Sequence, residues 1–141
     1  GEKFCMPLIT TKWAQKAYYN QYCPFDGVNS SNDKDSRTTV GNVAVAMASL
    51  INYYRYPTQG NGGIFYTSSL DWGSYQEVYP PLFVDLNNVT YNYDAMTSSL
   101  SGYNGEVAKL LYHTGASAKT MYSAERTISN KKSNAKGAKH L

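Results

Sequence analysis

Histidine and cysteine are scarce in this chain. Its 141 residues hold two of each, His113, His140, Cys5 and Cys23. Their spacing fits no zinc-ligand pattern, so no metal centre is expected, and nothing in the sequence asks for another cofactor. Charge is sparse as well: Asp, Glu, Lys and Arg make up 16% of the residues, with a net charge of +3. The positive excess sits at one end, where Lys131, Lys132, Lys136 and Lys139 follow Arg126 with no acid among them. The rest is slightly acidic, which argues against a nucleic-acid surface on the folded part. No stretch approaches the roughly 20 apolar residues of a membrane span.

What is abundant is tyrosine, 14 residues in all, among plentiful Asn, Ser, Thr and Gly. The length suits one domain with a real core. The expected division is a folded unit over 1–125 and a basic low-complexity tail over 126–141 that cannot bury a core. Gly1 stands where a Met would begin a nascent chain, so a processed or constructed start is expected. Cys5 and Cys23 leave two readings open. One is a disulfide of a secreted protein, stabilising by about 3 kcal/mol in the chain-entropy picture. The other is two small buried residues, or a free thiol near a frayed terminus.

The longest apolar stretch runs from Thr38 to Pro57 and predicts a buried helix of about four turns. Thr38 or Thr39 is the expected cap, Gly41 permits a tight approach, and Val43, Met47, Leu50, Ile51 and Tyr54 form the expected core stripe. Pro57 ends it, since the residue before a proline is driven out of the helical region. Ahead of it lie a lead-in arm over residues 1–11 and a polar loop over 26–37. After it, Ile64–Thr67 reads as a short strand. Leu70–Trp72 and 78–84 read as irregular with one short strand, and 91–96 as the start of a short helix. A second clear helix is expected over 104–115, with Val107, Leu110, Leu111 and Thr114 on one face and Gly115 as its stop. His113 falls on that helix and is expected at its surface; His140 lies in the tail.

Several blocks together resemble the streptopain family of bacterial cysteine peptidases, which are papain-like. Val40-Gly41-Asn42-Val43-Ala44-Val45-Ala46-Met47-Ala48 and Asn52-Tyr53-Tyr54-Arg55-Tyr56-Pro57 are similar to that family's active-site helix, with its Thr-Gly-Cys-Val-Ala-x-Ala-x-Ala pattern and following Tyr-Pro. Trp13, Gln15, Tyr19-Asn20 and Cys23-Pro24 are similar to the upstream element, and Asp71-Trp72 and the Gly60–Gly63 turn to pieces that follow. Val107-Ala108-Lys109-Leu110-Leu111-Tyr112, with Gly115, is similar to a downstream helix, and 116–122 to the strand after it. The resemblance covers about residues 8 to 122 and implies an α+β, papain-like half-fold around a central helix.

By the same resemblance, Gln15 occupies the position that donates an N–H to the developing oxyanion, and Asn42 stands where the family has its nucleophilic cysteine. A cysteine peptidase needs a thiolate beside an imidazole. An amide is neither nucleophilic nor titratable at neutral pH. The family's histidine lies in a Gly-Gly-His-Ala type segment, and the sequence contains none. The expectation is therefore an inactive, secreted relative with a binding or regulatory role. Its partner would be a peptidase, a propeptide, an inhibitor or a missing C-terminal half, with self-association through an uncovered apolar face. The alternatives are one chain of a split or engineered-inactive peptidase, and a surface module that stacks its aromatics on peptides or glycans.

Overall fold

Helix α1, Asn42–Tyr54, forms from the long apolar stretch and is shorter than the sequence suggests at both ends. The computed structural model describes residues 9–25, 37–71, 73, 76–123 and 127. The N-cap of α1 is Gly41, whose φ of 93° and ψ of 138° suit glycine, and no side chain caps the first turn. Thr38 and Thr39 are not caps. Both are buried in an extended approach, where the Thr38 hydroxyl donates to the Pro24 carbonyl (3.0 Å) and the Thr39 hydroxyl to Thr127 Oγ1 (2.8 Å). The helix ends at Tyr54, before Pro57 is reached. Arg55 takes a left-handed conformation (φ 54°), and its N–H turns back to the Asn52 carbonyl.

The buried stripe also differs from expectation. Ala44, Ala48 and Ser49 are buried, whereas Val43, Met47, Leu50 and Ile51 are half-buried and Tyr54 is exposed. The cause is helix α2, Gly105–Ser117, which packs on α1 and can come close only over small residues. Gly115 serves that approach and does not stop the helix: a Cβ there would lie 3.6 Å from Ala44 Cβ and 2.8 Å from the Tyr122 hydroxyl. Val107, Leu110, Leu111 and Thr114 are fully buried, as their spacing requires.

Helix α2 is well capped. Asn104 Oδ1 accepts from the N–H groups of Glu106 (3.1 Å) and Val107 (3.2 Å), and its amide donates to the Ala95 carbonyl (2.9 Å). Asn104→Ala is expected to lower the unfolding free energy by about 1 kcal/mol, read from urea midpoints. A change below a few tenths would mean that packing alone holds the first turn.

The strands are short and form two antiparallel ribbons. Strand β1, Gly63–Tyr66, pairs with β4, Leu82–Asp85; strand β2, Ser69–Asp71, pairs with β3, Gln76–Val78. The 69–85 stretch thus holds three strands rather than one, each only three or four residues long and so too short for a clear period-two signal in the sequence. Ile64 and Val84 face the core, with β4 against α2, while Phe65 and Phe83 pair outward. Residues 93–95 make one 3₁₀ turn. The expected strand over 116–122 is absent apart from a single bridge residue, Met121, because α2 runs on to Ser117 and Lys119 turns left-handed (φ 51°).

Tyr19, Tyr66, Tyr79, Tyr91, Tyr93 and Tyr122 are core residues, which accounts for much of the tyrosine content. Cys23 is buried and is a free thiol. Residues 1–8 with Cys5, the loop 26–36, Trp72 and residues 128–141 with His140 lie outside the described residues, as does most of the expected tail. Thr127 does not behave as tail: it is buried.

Candidate active-site cleft

Two stretches, 13–24 and 38–42, are brought together by backbone bonding. Val40 N–H donates to the Gln15 carbonyl (3.0 Å) and Thr38 N–H to the Pro24 carbonyl (2.9 Å). Asn20 adds a side-chain N–H to the Thr38 carbonyl (3.0 Å). The 13–24 block is itself anchored: Trp13 Nε1 donates to the Thr97 carbonyl (2.9 Å), and the Tyr19 hydroxyl accepts the Leu100 N–H (2.9 Å). Residues 38–41 are thereby fixed as an extended run ending in the Gly41 bend. The next residue, Asn42, opens α1 and is exposed.

Gln15 and Asn42 both line one apolar cleft of about 440 Å³, together with Trp13, Val45, Ser49 and Leu50. The Gln15 side chain is held, since its Oε1 accepts the Gly41 N–H (3.1 Å). That orientation commits the oxygen to the backbone and keeps the Nε2 donors for something else. Asn42 sits at the positive end of the α1 dipole, with no acidic residue in the first turn. A second groove, of similar size and more polar, adjoins at Thr11 and is lined by Asn52, Tyr53, Arg55 and Tyr93.

The cleft-facing residues of α1 were legible only in part. Positions 42, 45, 46, 49 and 50 follow helical spacing, but they compete with a second apolar face, Ala44, Ala48 and Ile51, that packs into the core. A helix apolar on both faces gives no single stripe.

Among the described residues, the cysteine and the histidine are Cys23 and His113, and neither lines the cleft. Burial pushes the Cys23 thiol up to about 12, against a small opposing pull from Arg37, so it stays protonated at neutral pH. His113 is half-buried and not at the surface. Its Nδ1 pairs with the Tyr91 hydroxyl (2.9 Å), and burial, with the Lys109 charge, pushes its pKa down to about 4. It is not among the residues lining the cleft. No cluster of potential metal ligands occurs among the described residues, and no helix there is long and apolar enough to cross a membrane.

Residues 13–140 match the family model described as the Peptidase C10 family. Two solved structures from Prevotella intermedia are similar. One is a prointerpain A fragment carrying a Cys-to-Ala mutation, at 28% identity and a TM-score of 0.75, matched over 94% of this chain and 41% of that one. The other is the active wild-type interpain A cysteine protease, at 28% identity and a TM-score of 0.74, matched over 94% of this chain and 52% of that one. The chain thus spans about half or less of the structures it matches. No curated protein matches it.

Proposed function

Because the chain belongs to the Peptidase C10 (streptopain) family and carries part of its papain-like fold, we propose that it binds polypeptide in this cleft without cleaving it. The observation that carries the reading is Asn42 itself. It stands at the exposed start of α1 and lines the same cleft as Gln15, and the sequence resemblance supports reading it as the nucleophile-equivalent position. The cleft offers an anchored Gln15, a helix N-terminus with no side-chain cap and an apolar wall. What position 42 lacks is a thiol, and loss of the nucleophile alone costs on the order of a millionfold in comparable hydrolases.

Among the described residues, Val45, Ala46 and Leu50 form an apolar wall open to the cleft, and such surfaces draw partners. The occupants that fit are a peptidase, its propeptide, an inhibitor or a complementary papain-like half. A second copy of the chain is the default when none is present. Secretion follows the family reading.

Two measurements test the proposal. The purified chain is expected to release no peptides from a denatured protein substrate above a buffer blank, and turnover that survives repurification would overturn the reading. A peptidyl chloromethyl ketone is expected to leave residue 42 of the natural chain unmodified and to alkylate N42C there, located by mass spectrometry. An unlabelled thiol in folded N42C would mean that position 42 is not the nucleophile site. The two-chain enzyme reading shares this geometry. It gains ground only if N42C becomes a peptidase when the complementary half is supplied.

A further inference from the structure

Gln15 grips the turn before Asn42 from one side, through two bonds to Val40 and Gly41. The opposite side is gripped from the far end of the described chain. Thr39 N–H donates to the Ser123 carbonyl (3.0 Å), and the Thr39 hydroxyl donates to Thr127 Oγ1 (2.8 Å). Thr127 Oγ1 also accepts the Ser123 N–H (2.8 Å) and donates to the Ser123 carbonyl (2.9 Å). A hydroxyl has one proton and two lone pairs, so Thr127 uses its whole capacity here. Its methyl completes the fit: Cγ2 lies 3.1 Å from where a Gly41 Cβ would stand.

We propose that Thr127 is a positioning residue for the cleft, whose hydroxyl and methyl hold the Thr39–Gly41 turn against Gln15 and so set where residue 42 stands. The inference rests on the reading of position 42 given above. Three features make it more than a fold contact. First, α1 has no side-chain cap, so the turn that precedes its first residue, together with the packing of α1 on α2, sets where that residue stands. Second, the turn is bonded on two sides, by Gln15 within the cleft and by Thr127 behind it. Third, Gly41 has φ 93°, so nothing bulkier can stand in for the glycine, and the methyl closes the space that a side chain would fill.

The test uses the full chain carrying N42C, whose thiol reports on the helix N-terminus. Alkylation of residue 42 by iodoacetamide is followed against pH by mass spectrometry, which separates it from the other two cysteines. N42C is expected to show a midpoint below the free-thiol value of about 8.5. Adding T127V should raise that midpoint by about 1 unit, while T127S, which keeps the hydroxyl, should restore most of it. T39V removes the same contact from the other side. It should give a similar shift and add little to T127V, as residues in one network do.

A fold contact without a positioning role would lower the melting temperature and leave the midpoint in place. Folded N42C/T127V with the N42C midpoint would therefore overturn the inference. If T127V does not fold, T39V decides by the same criterion. An ordinary midpoint in N42C alone would sink the assignment of position 42. A lowered midpoint that ignores both threonines would sink only the role of Thr127.

Discussion

Leu110→Ala is expected to lower the unfolding free energy by about 3–4 kcal/mol, among the larger effects that one substitution can have in this chain. Leu110 is fully buried in the core cluster, on the helix that packs against α1 and β4. Truncation there removes apolar area and leaves a cavity that two helices and a ribbon cannot readily close. The measurement is urea unfolding with the slope held as a check: a shifted midpoint at unchanged slope reads as stability. A loss below 1 kcal/mol would mean that α2 is not the packing centre and that the α1–α2 contact is loose. The consequence reaches the cleft. With no polar cap, α1 keeps its place through the Ala44–Gly115 approach and the turn before Asn42.

The sequence made the cleft more legible than the fold around it. The blocks 13–24 and 38–48 carry the residues that meet there, so resemblance alone puts Gln15 and Asn42 on one site, and the structure brings both to one cleft. The second helix was equally plain, because Val107, Leu110, Leu111 and Thr114 repeat at helical spacing on one buried face. Three features were not readable, each for a physical reason. Thr38 and Thr39 have the chemistry of caps, but a glycine at φ 93° starts the helix and partners distant in sequence take their hydroxyls. Gly115 has the chemistry of a stop, but the neighbouring helix needs its missing side chain. The short ribbons of 69–85 are too brief to show alternation. Thr127 carried no local signal at all, since its partners lie 4 and 88 residues away.

His113 is expected to make the chain less stable in acid, and the direction follows from its burial. Its pKa falls from the ordinary 6.5 to about 4 in the folded state, because burial and the nearby Lys109 charge disfavour the imidazolium. Above 6.5 neither folded nor unfolded chain holds this proton, and stability is full. As pH falls from 6.5 towards 4 the unfolded chain binds the proton first, so stability drops. Below 4 both states are protonated and the loss levels off. The shift corresponds to about 2–3 kcal/mol at most, allowing for partial exposure. Acidic groups titrate in the same range, so the comparison is with His113→Gln, which removes the titration at that site. The difference between the two stability curves should grow between pH 6.5 and 4, and a flat difference would refute the burial argument. The same protonation strikes the Tyr91 hydroxyl contact at Nδ1, which ties the 3₁₀ region to α2. Nothing in it touches the cleft. In N42C the acid dependence of His113 should therefore appear in unfolding and leave the alkylation profile of residue 42 unmoved between pH 6.5 and 4. That separation is what a cleft not lined by His113 requires.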